Sequence, residues 1–273
     1  MDKTLVDTLT AKAREIRALC IEEIGNLGSG HIGGCMSIVD ILTLLYYHRM
    51  KVDPSNPRWE GRDYLVVSKG HAGPAVYAAL ASKGFFPKDW LMTLNKGGTR
   101  LPSHCDRVLT PGIDMTAGSL GQGFSAALGI ALGLKMDQKP NRVFAIIGDG
   151  ESDEGQIWEG AMFAAAKGIS NITAFTDFNK QQLDGYVKDV LDLGDLGAKW
   201  RAFGWFTQEV DGHDLEALDA AVEASLGQNE KPSMIIMNTI KGRGCSFAEG
   251  IEKNHSMAFD MEKAKEAIAA LGR

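Results

Sequence analysis

Features that would place this chain of 273 residues in a common class are mostly missing. It has no apolar run of about 18 residues, the length that a transmembrane helix needs, and its N-terminus lacks the basic-then-apolar pattern of a signal peptide. The four cysteines are scattered, and none belongs to a C-x-x-C pair of the kind found in zinc and redox sites. We therefore expect a cytoplasmic protein with free thiols and no membrane partner.

Clusters of basic residues are also missing, which argues against nucleic acid as a partner. The net charge is −6, and the contents of 44% hydrophobic and 23% charged residues are those of a soluble globular protein. Strands are predicted over 64–67, 142–147, 171–177, 206–210 and 233–238, and they alternate with helices that include 4–24 and 37–49, the latter with Ser37 as its candidate cap. A glycine-rich loop is predicted over 25–34, and the chain has no internal repeat and no low-complexity linker. This pattern predicts an α/β fold: one domain over residues 1–273, with a doubly wound, mostly parallel sheet and helices on both faces.

The most informative segment is Gly148-Asp149-Gly150, which follows a predicted buried strand over 142–147. A helix is predicted over 154–167 and a second strand over 171–177, followed by Asn179. Asp149 and Asn179 therefore lie at the carboxyl ends of parallel strands, where open α/β sheets bind ligands. No G-x-G-x-x-G follows the first strand, and no G-x-x-x-x-G-K-[ST] occurs, so a common nucleotide site is not predicted.

The side chains at these strand ends suit a metal ion and an anion. Asp149 and Asn179 offer hard oxygens, which Mg²⁺ prefers, and Gly148 and Gly150 would let the backbone approach an anion closely. The alternative is an ordinary strand-to-helix turn in which Asp149 only caps the helix.

Four of the six histidines lie in turns flanked by glycine or proline, namely His31, His71, His104 and His255. Imidazole donates hydrogen bonds to anions and exchanges protons near neutral pH, so we predict that these four share a site. We predict structural roles for His48 and His213. Lys69 and Lys241 flank the same turns and would add positive charge, although a solvated lysine is the alternative for Lys69.

Several motifs in order resemble transketolases, the thiamine diphosphate-dependent enzymes that transfer two-carbon ketol units. The resemblance runs from about residue 10 to residue 257. The motifs are Ser29–Gly33, Ser68–Ala72, Leu101–His104, Thr116–Gly123, Gly148–Gly150 with Asn179, Asp153–Glu159 and Lys241–His255.

The resemblance implies thiamine diphosphate and Mg²⁺ or Ca²⁺ as cofactors. The metal would be held by the side chains of Asp149 and Asn179 and by the backbone carbonyl of Gln181. His31, His104 and His255 would take part in catalysis, with His31 and His104 facing the reacting carbons. The residues that would contact the organic cofactor are His71, Gly118, Ser119, Leu120, Gly148, Asp149, Gly150, Glu151, Asn179, Lys241 and His255.

Two acidic residues, Glu154 and Glu159, would relay protons between sites at a subunit interface by the same resemblance; ordinary helix-surface acids are the alternative. Ser119 stands where the family often has proline.

The family's pyrimidine-binding domain, which supplies the glutamate that activates the cofactor, is expected to be absent from this chain. We therefore expect the N-terminal subunit of a split transketolase, which would join a C-terminal subunit in an α2β2 assembly that acts on sugar phosphates. The alternatives are a subunit dedicated to an unusual sugar or sulfosugar, a subunit of a deoxyxylulose-phosphate synthase, and a non-catalytic scaffold.

Overall fold

A computed structural model describes residues 1–271. The predicted domain end at residue 273 lies outside these residues. Ten α-helices and nine strands are found in this part of the chain. The helices are α1 Lys3–Leu27, α2 Ile32–Met36, α3 Val39–Leu44, α4 Gly73–Lys83, α5 Gln122–Met136, α6 Gly155–Ala166, α7 Val187–Val190, α8 Leu196–Ala202, α9 Leu215–Leu226 and α10 Met261–Ala270. The strands are β1 Ser29–Gly30, β2 Tyr64–Val67, β3 Val143–Gly148, β4 Ile172–Phe178, β5 Gln181–Gln182, β6 Gly185–Tyr186, β7 Phe206–Asp211, β8 Ser233–Asn238 and β9 Met257–Ala258.

The central sheet has five strands in the order β2-β3-β4-β8-β7, and every neighbouring pair is parallel. All residues of β3 are buried, as expected for a strand covered by helices on both faces. One face packs against α1, α3, α4 and α9, and the other packs against α5, α6 and α8. The predicted doubly wound α/β fold is confirmed, and all five predicted strands of this sheet are present within about one residue of their predicted ends.

The N-terminal half contains the main differences from the predicted helices. Helix α1 continues to Leu27, through part of the predicted glycine-rich loop, and ends at Gly28 in a left-handed conformation with φ of 95°. The helix predicted over 37–49 is instead α3 followed by a π-helical turn over Leu45–Arg49. Ser37, predicted as its cap, ends α2 and donates its hydroxyl to Asp177 Oδ2 at 2.7 Å.

A two-stranded antiparallel ribbon connects distant parts of the chain. It pairs β1 with β9, with Ser29 opposite Ala258 and Gly30 opposite Met257. His31 directly follows β1 and His255 lies two residues before β9, so the ribbon brings the two histidine segments to one place.

No helix within residues 1–271 is long and apolar enough to cross a membrane.

Candidate active site

The predicted site residues come together at the carboxyl edge of the sheet. The turns after β2, β3, β4 and β8 all open at this edge, because the strands are parallel. They surround a cavity of about 250 Å³. The cavity is lined by His31, Gly34, Lys69, His71, His104, Gly118, Leu120, Gly148, Asp149, Gly150, Glu151, Asn179, Gln181, Gln182, Leu183, Lys241 and His255.

Three predicted site residues do not line the cavity. Ser119 is exposed between two residues that do line it, and Glu154 and Glu159 are exposed near and on α6. A role of these two glutamates at a subunit interface therefore stays a prediction, as do the individual roles of the residues inside the cavity.

The predicted metal ligands form a set of three hard oxygens. Asp149 accepts hydrogen bonds from the backbone N–H groups of Gly150 at 2.8 Å and Lys180 at 2.5 Å. Asn179 Oδ1 accepts from the N–H of Gln181 at 3.1 Å. Lys180 has a φ of 68°, unusual for a residue other than glycine, and this local conformation turns the chain sharply after Asn179. The carbonyl of Gln181, the third predicted ligand, accepts from Lys241 Nζ at 3.2 Å.

These donors fit Mg²⁺ or Ca²⁺. One carboxylate, one amide oxygen and one carbonyl suit a hard cation that is also bound by phosphate oxygens. No group of three or more His, Cys, Asp or Glu side chains that could hold a metal is found among residues 1–271, so a site for a softer metal is not indicated there. Burial, and next the nearby Asp177, raise the pKa of Asp149 to about 7; a bound dication would oppose this shift and favour the carboxylate.

Asp177 is a residue of this site that sequence reasoning missed. It is fully buried, and its Oδ2 accepts from Lys69 Nζ at 2.6 Å and from Asn179 Nδ2 at 2.9 Å. Its Oδ1 accepts from the Thr239 hydroxyl at 2.5 Å. Because Asp177 binds the amide nitrogen of Asn179, it fixes which way that amide faces. The sequence did contain a signal for this residue, because Asp177 is the one charged residue in the buried strand β4.

Lys69 is buried within this network. Its Nζ also donates to the carbonyl of Gly34 at 2.7 Å, and the side chain is 2% exposed. The alternative of a solvated Lys69 is therefore wrong. Lys241 is buried as well, and burial lowers the pKa of its ammonium group to about 8.

The four predicted histidines form one cluster. The ring centroid of His31 lies 5.4 Å from that of His71, 5.8 Å from that of His104 and 5.3 Å from that of His255. Burial lowers the pKa of His71 to about 2 and that of His255 to about 4, and it lowers the pKa of His31. The lowered pKa favours the neutral form of these three imidazoles, in which each can accept a proton or donate a single N–H.

The two remaining histidines, for which structural roles were predicted, do not line this cavity. His213 Nδ1 lies 2.8 Å from Asp40 Oδ2, and its Nε2 accepts from the N–H of Ile240 at 2.9 Å. His48 lies 3.4 Å from Asp219.

Glu151 holds three backbone segments around the cavity. It accepts from the N–H groups of Gly121 at 2.8 Å and Gly148 at 3.0 Å, and from the hydroxyl of Ser68 at 2.5 Å. Both carboxylate oxygens are therefore occupied by protein donors, which favours a positioning role over direct cofactor contact. Asp149 likewise does not cap α6; it caps a 3₁₀ turn over Gly150–Asp153.

One of the two glycines beside Asp149 is required by close packing. A Cβ on Gly150 would lie 2.7 Å from the Cβ of Gln182, whereas one on Gly148 would meet nothing closer than 3.7 Å. Protein packing therefore explains Gly150, and the space beside Gly148 belongs to the cavity.

Comparison with known proteins identifies the family. The family model described as transketolase, thiamine diphosphate binding domain, matches residues 8–273. The chain belongs to this family. It is 56% identical over 263 residues to a 6-deoxy-6-sulfo-D-fructose transketolase subunit from Clostridium sp. strain MSTE9, covering 96% of each chain. It is 35% identical over 263 residues to one subunit of the apulose-4-phosphate transketolase from Phocaeicola vulgatus, covering 96% of this chain and 93% of that one.

Solved transketolases share the fold. The structure from Leishmania mexicana superposes with a TM-score of 0.91 at 28% identity, over 97% of this chain and 41% of that one. The structure from Campylobacter jejuni gives 0.90 at 28% identity, over 98% and 43%. The chain thus spans about two fifths of these transketolases but nearly all of the separate subunits. The expected family, fold, cofactor class and transketolase-subunit character are confirmed.

Proposed function

We propose that this chain binds the diphosphate end of thiamine diphosphate in a two-subunit transketolase, which transfers a two-carbon ketol unit from a ketose to an aldose. The observation that carries this proposal is one cavity that combines three hard-oxygen donors with four imidazoles. When bound, the cofactor supplies the carbanion chemistry needed to break a carbon–carbon bond beside a ketone.

The chain's own groups divide into two sets. Asp149, Asn179 and the carbonyl of Gln181 would hold Mg²⁺ or Ca²⁺ and so offset the diphosphate charge. His31, His104 and His255 would move protons on and off sugar hydroxyls. Burial lowers the pKa of His31 and of His255, which favours the neutral imidazole, the form that has a nitrogen free to accept a proton.

A C-terminal partner subunit would complete the site in an α2β2 assembly. Exposed apolar side chains support this: Leu183, which lines the cavity, is 66% exposed, and Val190 and Leu191, at the end of α7, are 47% and 56% exposed. On α6, Met162 and Phe163 are 52% and 41% exposed, on the helix that also carries Glu159. Clustered exposed apolar side chains of this kind are typical of association sites.

A sulfosugar donor is the second part of the proposal. The high identity to the 6-deoxy-6-sulfo-D-fructose transketolase subunit, over nearly the full length of both chains, favours this donor over the ketose phosphate of ordinary transketolases. Neither a subunit of a deoxyxylulose-phosphate synthase nor a non-catalytic scaffold has comparable support.

The test is an assay of the chain with and without a co-expressed C-terminal subunit, in thiamine diphosphate and Mg²⁺. We expect activity only with both subunits, with a higher kcat/KM for 6-deoxy-6-sulfofructose than for fructose 6-phosphate. Ketol transfer by the chain alone would contradict the split site. A preference for the phosphate would overturn the donor assignment alone.

A further inference from the structure

A second cavity lies away from the catalytic one and is rich in arginine. It has a volume of about 590 Å³ and is lined by residues 55–58, Glu60, Arg62, Tyr64, Arg100 and the loop 107–114. Four arginines line it, namely Arg58, Arg62, Arg100 and Arg107, together with the two acidic residues Glu60 and Asp114. Its lining therefore carries two net positive charges in a chain of net charge −6.

One of the four arginines, Arg62, is held in place by contacts within the protein. Arg62 donates to Asp114 Oδ1 through Nε at 3.1 Å and Nη2 at 2.8 Å, and its guanidinium lies 4.2 Å from the Tyr64 ring centroid. Asp114 Oδ2 is used as well, by the N–H of Leu65 at 2.9 Å. Asp114 is thus saturated by Arg62 and the backbone.

The other three arginines keep their donors available. Within residues 1–271, no acceptor is found for the guanidinium groups of Arg58, Arg100 or Arg107. Arg100 stacks over Trp90, with the guanidinium carbon 5.1 Å from the ring centroid, which orients it without using its N–H groups. Arg107 is close enough to Asp114 to oppose the rise in pKa that burial gives this carboxyl. Three forked donors around one cavity match the oxygens of a tetrahedral oxyanion.

This cavity lies at the opposite end of β2 from the catalytic cavity. Asp114 binds Leu65, near the start of the strand, whereas Lys69 and His71 follow its end. The rise of about 3.3 Å per residue separates Leu65 from Lys69 by roughly 13 Å. A group bound among the arginines would therefore not be the reacting part of a substrate.

One loop connects the two cavities. Its ends, His104 and Gly118, line the catalytic cavity, and its middle, 107–114, lines the arginine cavity. Two hydrogen bonds join the two sides of this loop. The backbone N–H of Arg107 donates to the Thr116 hydroxyl at 3.1 Å, and the N–H of Ala117 donates to the carbonyl of Cys105 at 3.2 Å. An anion that fixes Arg107 would therefore also fix His104 and Gly118.

We propose that the arginine cavity binds a phosphate group, free or carried on a small polar molecule, as an effector that orders the loop 104–118. The volume lies within the range of about 300–1,000 Å³ typical of small-molecule sites. By linkage, the effector and the sugar donor strengthen each other's binding, because both favour the ordered loop. This inference does not depend on which sugar is the substrate.

The test uses the two-subunit enzyme saturated with thiamine diphosphate and Mg²⁺, so that the cofactor's diphosphate site is already filled. Inorganic phosphate and glycerol 3-phosphate are titrated by calorimetry, and the tighter of the two identifies the free or carried form. We expect the double variant Arg58→Gln/Arg107→Gln to bind the tighter probe at least about tenfold more weakly, since two charge-assisted hydrogen-bond donors are lost. Arg201→Gln is the control, because it removes an arginine that is half exposed on α8.

Hydrogen exchange of the unmodified enzyme provides a second readout that needs no variant. Added probe should slow amide exchange in 106–114. Equal affinity in the double variant and the unmodified enzyme, binding lost equally in the Arg201→Gln control, or unchanged exchange in this segment would each overturn the proposal.

Discussion

The buried contact between Asp177 and Asn179 allows two effects of Asp177 to be tested separately: balancing the charge of Lys69 and orienting the amide of Asn179. Asp177 both balances Lys69 and binds the amide nitrogen of Asn179. A single substitution at Asp177 would disturb both functions. We therefore compare two variants that share the change Lys69→Met, one with Asp177→Asn and the other with Asp177→Leu.

Removing both charges avoids a large loss of stability. Asp177→Leu alone would leave the ammonium of Lys69, 2% exposed, without its partner, at a cost of roughly 3–5 kcal/mol. With methionine at position 69 this cost is absent in both variants. Leucine keeps the branched outline of aspartate, and asparagine keeps an oxygen that can accept from Asn179 Nδ2. The two double variants then differ in the acceptor for Asn179 Nδ2 and for the hydroxyls of Ser37 and Thr239.

We expect Lys69→Met/Asp177→Leu to bind thiamine diphosphate and Mg²⁺ about 10–100-fold more weakly than Lys69→Met/Asp177→Asn, the usual loss when a residue that orients a metal ligand is removed. Calorimetry on the two-subunit enzyme measures this ratio. Asp40→Asn is the control for a buried ion pair outside the catalytic cavity. Asp40 Oδ2 lies 2.6 Å from Arg17 Nη2, and Asp40 lines a different cavity. Equal cofactor affinity in the two double variants would refute the orienting role.

Three further outcomes are expected. Asp149→Ala should weaken thiamine diphosphate binding strongly, and a chelator should then have little further effect in calorimetry; unchanged affinity would argue against the metal assignment. His104→Ala should lower kcat or raise the donor KM while cofactor affinity stays nearly intact, whereas His71→Ala should weaken the cofactor more; identical defects would contradict this division. Glu23 is fully buried, no partner is found for its oxygens within residues 1–271, and burial raises its pKa well above the usual value. The folded state then holds a proton that the unfolded state releases above pH about 4.3, so stability falls by about 1.4 kcal/mol per pH unit up to the folded pKa. Urea unfolding at pH 5 and 7.5 should show that Glu23→Gln removes this pH dependence. The same change in unfolding free energy between the two pH values in the variant and the unmodified protein would refute it.

The sheet was predictable because its signals are local. The apolar runs at 64–67 and 171–177 are short and end at polar or glycine residues, so both the strands and the position of Asn179 follow from the sequence. The cavity followed from the parallel order of those strands, which places the turns after them at one edge.

The parts that were not predicted depend on contacts between distant segments. Gly25 lies inside α1, and its lack of a side chain is explained by packing, because a Cβ there would approach the Ala264 Cβ to 2.7 Å. Lys69 is buried because Asp177, 108 residues away, faces it. Ala264 and Asp177 are both far from these residues in the sequence. The local pattern therefore predicted a loop at Gly25 and did not exclude a solvent-exposed Lys69.

The ribbon between β1 and β9 has a consequence for the order of events during synthesis. It joins residues 29–30 to residues 257–258, next to His31 and His255, whose ring centroids lie 5.3 Å apart. A polypeptide emerging from the ribosome can form β2, β3 and β4 early, but its histidine cluster stays incomplete until almost the whole chain has been made. Contacts of such long sequence separation form late because loop closure is costly. The complete lining of the catalytic cavity, which includes His255, is therefore assembled only when nearly the whole chain is available.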